Sequence, residues 1–265
     1  MGMVTLEGTT FGYTDVGTGD PLVLVHGHPF DRTMWQPQVE HLTRAGWRVI
    51  VPDLRGYGGS TVVPERTTWD TFARDVARLL DHLGVGHHVL GGLSMGGQIV
   101  LEYYRLFSAR VRALLLADTF AAAETQQGRK VRNEVADRVV REGMTSYAAE
   151  LLPRMVAPST LATMPAVAEH VLGMMRRTPA EGAAAALRAR AERPDYVELL
   201  SRITVPTLVV VGSDDAFTPE CDARLIHERI VGSVLEIVAG AGHLPNLERP
   251  KDFNVALDAF LDTLP

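Results

Sequence analysis

The sequence predicts an α/β fold: a mostly parallel, doubly wound sheet with helices on both faces. Three observations predict it. Continuous apolar runs such as Leu22-Val23-Leu24-Val25 and Val49-Ile50-Val51 lack the alternation of a half-exposed strand, so they belong to a sheet buried on both sides. Stretches with apolar residues at helical spacing separate these runs, and such alternation demands parallel strands joined by right-handed crossovers. The third observation is Gly91-Gly92-Leu93-Ser94-Met95-Gly96-Gly97, where an apolar run ends and a helical pattern starts within a turn too tight for side chains at Gly92 and Gly96.

Taken in order, residues 9–15 alternate loosely and predict an antiparallel, hairpin-like edge that ends in the turn-rich Asp15-Val16-Gly17-Thr18-Gly19-Asp20-Pro21. The run 22–25 stops at His26-Gly27-His28-Pro29. From Asp31, residues Trp35, Val39 and Leu42 recur at helical spacing up to Gly46, and the strand 49–51 then runs into the loop 52–60. Thr67 and Asp70 have capping-box spacing and open a helix with the stripe Trp69, Phe72, Val76, Leu79, Leu80 and Leu83, stopped by Gly84. His88-Val89-Leu90 is the strand entering the glycine-rich turn, and Ile99, Val100, Tyr103, Tyr104 and Phe107 mark the helix leaving it. The strand 111–117 ends at Asp118. From Glu124 to about Leu200 only helix-like segments appear, broken by Gly143 and five prolines, a stretch too long for a loop. The expected arrangement is therefore a core of residues 1–120 and 201–265 with a helical cap inserted at 121–200. Strand character resumes at 207–211. A helix over about 219–230, a strand at 234–238 and a last helix carrying Phe253, Leu257, Phe260, Leu261 and Leu264 complete the chain.

A chain of 265 residues with 46% hydrophobic and 22% charged residues can bury a sizeable core. Its formal charge of -6 gives no electrostatic reason to expect nucleic acid or an anionic membrane as a partner. No apolar run approaches the roughly 20 residues of a membrane span. The first residues show neither a basic nor an apolar leader pattern, and the single Cys221 cannot form an internal disulfide, so a cytoplasmic protein is expected.

In an open α/β sheet ligands bind beyond the carboxyl ends of the strands. Four such ends carry polar residues: His26-Gly27-His28, Ser94, Gly212-Ser213-Asp214-Asp215, and Gly240-Ala241-Gly242-His243. The glycine-rich turn has neither the lysine of a phosphate loop nor the spacing of a dinucleotide turn. A strained turn would instead hold Ser94 out at the strand end, against the positive end of the next helix, with the Met95 amide free for an oxyanion. A serine hydroxyl needs a base, and imidazole serves when a carboxylate fixes its tautomer. The chain order serine, acid, histidine is present, with Asp215, Asp214 and Asp118 as candidate acids. No histidine pair has metal-ligand spacing, so neither a metal nor a cofactor is expected.

Five stretches in this order, His26-Gly27-His28-Pro29, residues 53–60, Gly92-Leu93-Ser94-Met95-Gly96, Gly212-x-x-Asp215-x-x-x-Pro219 and Gly242-His243-x4-Glu248-x-Pro250, resemble the α/β-hydrolase fold superfamily over nearly the whole chain. More narrowly they resemble its compact esterases, lactonases and cofactor-free haloperoxidase-like enzymes. The resemblance implies a sheet of about eight strands, Ser94 as nucleophile, Asp215 as acid and His243 as base. It also implies an oxyanion hole from the Met95 and His28 amides, with His26 and the loop holding Asp53 as structural braces. The expected reaction is hydrolysis of a small carboxylic ester or lactone through an acyl-enzyme. Enol-lactone hydrolysis, cofactor-free perhydrolase chemistry and a ligand-binding protein of little turnover remain open alternatives. The cap is expected to set substrate choice, with Trp35, Phe120, Met144, Met155, Met174 and Met175 as candidate pocket residues.

Overall fold

The computed structural model describes residues 1–63 and 67–264. Its sheet contains β1 (Gly2–Leu6), β2 (Thr9–Val16), β3 (Pro21–Val25), β4 (Arg48–Pro52), β5 (His88–Leu93), β6 (Val111–Ala117), β7 (Thr207–Gly212) and β8 (Val234–Val238). The eight strands run in the order β1-β2-β4-β3-β5-β6-β7-β8. From β4 to β8 every pairing is parallel, and β2 meets both β1 and β4 antiparallel. The edge hairpin therefore closes through residues 7–8 before β2. The turn-rich residues after β2 carry the chain instead into β3, a difference the weak period-two pattern of residues 2–6 did not disclose.

Helices α1 (Gln36–Arg44), α2 (Trp69–His82) and α3 (Met95–Phe107) connect the first parallel strands. A cap follows β6 as α4 (Gln126–Glu142), α5 (Met144–Met155), α6 (Pro158–Thr163), α7 (Pro165–Arg177), α8 (Ala180–Ala191) and α9 (Val197–Leu200). The chain then closes with α10 (Glu220–Arg229), α11 (Pro245–Glu248) and α12 (Pro250–Leu261). Trp35 belongs to a 3-10 turn, Arg32–Trp35, and not to α1 proper. The capping residue of α2 is Thr68, one position later than the Thr67 spacing implies, with its hydroxyl donating to Asp70 Oδ1 at 2.6 Å.

Each sheet face has its own core. Phe72, Val76, Leu80, Ile99, Tyr103 and Ile226 cover one face, from α2, α3 and α10. Trp35, Leu42, Phe253 and Leu257 cover the other, joined there by Met174 and Met175 from the cap. Residues β3, β5 and β7 are buried along nearly their whole lengths, which is why they read as unbroken apolar runs. Among the described residues no helix is long and apolar enough to cross a membrane.

Candidate active site

Ser94 alone forms the turn between β5 and α3. Its backbone lies at φ 56° and ψ −117°, a conformation that a non-glycine residue keeps only when its surroundings impose it. They do so here. A Cβ on Gly92 would collide with the Gly96 carbonyl, and one on Gly96 with the carbonyl of Val25. The Ser94 amide donates to Ala117 O at 2.9 Å, and Thr119 Oγ1 donates to Ser94 O at 2.8 Å. Among the described residues the Ser94 hydroxyl has no hydrogen-bond partner, and it opens on a cavity of about 280 Å³.

His243 reaches the same cavity from the loop after β8. Its Nδ1 donates to Asp215 Oδ2 at 2.7 Å with both side chains buried. Among the described residues that bond leaves Nε2 without a hydrogen-bond partner. Asp215 also accepts from the Phe217 amide at 2.7 Å and from the Thr218 hydroxyl. Burial alone would raise the Asp215 pKa, but the His243 charge and hydrogen bond, with those two donors, outweigh it and leave the carboxyl below its ordinary value. Asp214 instead accepts from Ser213 Oγ on the exposed side of the loop. Asp118 lies behind the pair: ligand atoms of Asp118, Asp215 and His243 come within 4.8 Å of one another. Its Oδ1 accepts from the Gly212 amide at 2.9 Å, and it makes no hydrogen bond to His243.

The histidine loop is fixed by Glu248, buried on α11. Its carboxylate accepts from Gly242 N and Leu244 N on one side, at 2.9 and 3.2 Å, and from Ala157 N and Thr160 Oγ1 of the cap on the other, both at 2.7 Å. One side chain thus ties the His243 loop to the cap. At the opposite wall, residues 27–30 form a turn closed by Phe30 N to Gly27 O at 3.1 Å. His28 Nδ1 meets the Tyr57 hydroxyl at 2.7 Å, and burial, then Arg190 and Arg132, holds its pKa well below the usual imidazole range. His26 donates through Nδ1 to Gly27 O at 2.8 Å and accepts at Nε2 from Leu54 N at 2.9 Å, a buried brace between two loops. Asp53 braces likewise, through the Arg32 and Gly59 amides. Met95 is the first residue of α3, so its amide has no carbonyl one turn back in the helix.

Of the six pocket residues expected from the sequence, the structure brings Phe120 and Met155 to the cavity wall. The other four lie elsewhere. Trp35 packs at 6.0 Å between ring centroids on Phe253 in the core under α12, and Met174 and Met175 are buried in that same core. Met144 packs between α4 and α8 with Ala136, Val139 and Leu187. Methionines fill gaps in any core, so their concentration in the cap did not distinguish roof from wall. Sequence reasoning also passed over Tyr147, Phe217, Thr218 and Arg190, which do line the cavity. Thr218 had a signal, a hydroxyl three residues after Asp215. Phe217 follows Asp215 on the same loop and packs on the His243 ring, whereas Tyr147 and Arg190 reach the cavity only through packing of the cap.

An open α/β sheet with a strained strand-to-helix serine, and a buried acid–histidine pair at the neighbouring strand ends, defines a hydrolase of the α/β class. The family model for the alpha/beta hydrolase fold matches residues 20–250, and the chain belongs to that family. It is 30% identical over 260 residues to 3-oxoadipate enol-lactonase 2 of Acinetobacter baylyi, covering 97% of this chain and 95% of that one. Among solved structures, a malate-bound thermophilic esterase from Thermogutta terrifontis superposes with a TM-score of 0.94 at 41% identity, covering 98% of this chain and 96% of that one. The enol-lactonase from Burkholderia xenovorans gives 0.91 at 27% identity, covering 98% and 100%.

Proposed function

We propose that the protein is a serine hydrolase that cleaves small carboxylic esters or lactones through an acyl-enzyme on Ser94. The observation that carries this reading is the buried Asp215–His243 hydrogen bond of 2.7 Å, which leaves Nε2 free at the cavity that holds the Ser94 hydroxyl. His243 takes the Ser94 proton as Oγ attacks the carbonyl, and Asp215 holds the tautomer and stabilises the imidazolium. The Met95 and His28 amides receive the oxyanion. As the tetrahedral adduct collapses, the alkoxide leaves with the proton from His243, and water activated by the same ring then releases the acid and restores Ser94. Loose contact between serine and histidine before substrate arrives is common in unliganded enzymes. The esterase and enol-lactonase relatives support both substrate types.

The test is labelling with a fluorophosphonate followed by mass spectrometry of the Ser94 peptide, beside p-nitrophenyl ester turnover by Ser94→Ala. Labelling at Ser94 is expected, with turnover lost by several orders of magnitude, as in other serine triads where the loss is about 10⁶. A variant that keeps more than about a tenth of kcat/KM, a barrier change below roughly 1.4 kcal/mol, would remove Ser94 as nucleophile.

A further inference from the structure

The cavity roof holds a charge that acyl transfer does not use. Arg190 of α8 is only 8% exposed and lines the same cavity as Ser94 and His243. Its Nε donates to Gln98 Oε1 at 3.3 Å. Among the described residues this is the guanidinium's one hydrogen bond, and no carboxylate forms an ion pair with it. The nearby Glu124 is already engaged by Arg132 and, at 3.5 Å, by Arg193. Two guanidiniums thus share that carboxylate, and Arg190 is left outside the pairing. Burial, then the charges of Arg132 and Arg193, push the Arg190 pKa well below the usual arginine range. Arginine nevertheless keeps its proton in proteins, so Arg190 is a desolvated cation whose terminal amino groups lack an acceptor. Such a cation is costly until an anion joins it.

Resting on the serine-hydrolase reading, we propose that Arg190 is the receptor for a carboxylate carried by the substrate, and that the preferred substrates are small esters or lactones bearing a free acid group. The planar guanidinium matches the two oxygens of a carboxylate. The size of the cavity agrees. A volume of about 280 Å³ corresponds to roughly nine waters at liquid density, room for a short acyl chain ending in an acid. The neutral His28 and Tyr147 beside it add no negative charge, and Glu124, the carboxylate that also lines the cavity, is matched by Arg132 and Arg193.

The experiment compares mono-p-nitrophenyl glutarate with p-nitrophenyl 5-methylhexanoate, in which an isopropyl group replaces the carboxylate, each rate corrected for spontaneous hydrolysis. Wild type is expected to favour the anionic ester in kcat/KM by at least about tenfold, mostly through KM. In Arg190→Met that ratio falls by at least about tenfold, and Arg190→Lys keeps part of it. Arg190→Gln carries the comparison if circular dichroism shows the methionine variant unfolded. A wild type that favours the neutral ester, or a ratio that losing the guanidinium leaves alone, overturns the proposal while the serine-hydrolase reading stands, since both esters are still cleaved. If wild type cleaves neither ester, the hydrolase reading fails separately, and calorimetric titration with glutarate decides Arg190. Binding that Arg190→Met loses supports the receptor; binding equal in both proteins, or absent from wild type, overturns it.

Discussion

Asp118 and Asp215 are two carboxyls in one buried corner, and their surroundings pull them apart. Burial first, then the Asp215 charge, raises the Asp118 pKa well above the ordinary carboxylate range, while Asp215 is held below it. The opposite shifts make Asp215 the carboxyl of the pair that ionises first. Asp215→Asn is expected to lower kcat by about 10⁴. Asp118→Asn should stay within about tenfold of wild type, a barrier change under roughly 1.4 kcal/mol. The raised pKa also has a stability sign. Its contribution is present at acidic pH, below the unfolded carboxylate value, and is lost as pH rises through the folded value, so the melting temperature of wild type should fall more steeply toward alkaline pH than that of Asp118→Asn. Parallel slopes would show that Asp118 is already ionised. At the cavity wall, Met155→Ala should extend the preferred acyl length in a p-nitrophenyl ester series, whereas Met174→Ala should cost about 2–5 kcal/mol in urea unfolding and leave the length profile alone. Ser94, Asp215 and His243 were legible because each sits at a strand end with a short spacing motif around it. Arg190 and Met155 were not, since no local pattern says which side of a cap helix faces the cavity.

At the scale of elements, β5 carries the elbow and also a buried histidine at its first position. His88 packs edge-on against Tyr103 of α3 at 5.4 Å between ring centroids. Burial, then the Arg110 charge, lowers its pKa from 6.5 to about 4. As pH falls through that interval the unfolded chain takes up a proton the folded chain refuses, so stability present above pH 6.5 is lost at up to about 1.4 kcal/mol per pH unit. Urea unfolding at pH 7 and pH 5 should therefore show wild type losing about 2 kcal/mol more than His88→Leu. Equal losses would mean that other groups govern acid sensitivity. The elements themselves were readable where one force dominates: β3, β4 and β7 are apolar on both faces, and α2 carries a continuous stripe. Readability failed at edges and ends. β1 alternates between exposed and half-buried residues and buries none of them fully, and the start of α2 moved by one residue because adjacent Thr67 and Thr68 offer the same hydroxyl.

At the scale of the molecule, the cap is seated on the core by a few close backbone approaches and buried hydrogen bonds. Thr178 Oγ1 donates to Pro29 O at 2.9 Å, and the Tyr196 hydroxyl to Glu102 at 2.9 Å. One such approach joins two glycines. Gly56, at φ +81° in the loop after β4, touches Gly182 in the first turn of α8, and a Cβ on Gly182 would strike the Gly56 carbonyl. Two effects of Gly182→Ala then oppose each other. Alanine favours a helix over glycine by about 0.8–1 kcal/mol. Forcing a methyl against backbone that cannot rotate away costs typically about 1–3 kcal/mol, so the clash should win and α8 should shift outward. Because α8 carries Leu187 and Arg190 into the cavity while Ser94, Asp215 and His243 sit on the core, the shift should lower ester kcat/KM and yet leave Ser94 open to the fluorophosphonate. The expected result is a lower melting temperature with labelling retained and turnover reduced. A higher melting temperature with unchanged kinetics would mean that helix propensity prevails and that the glycine contact does not seat the roof.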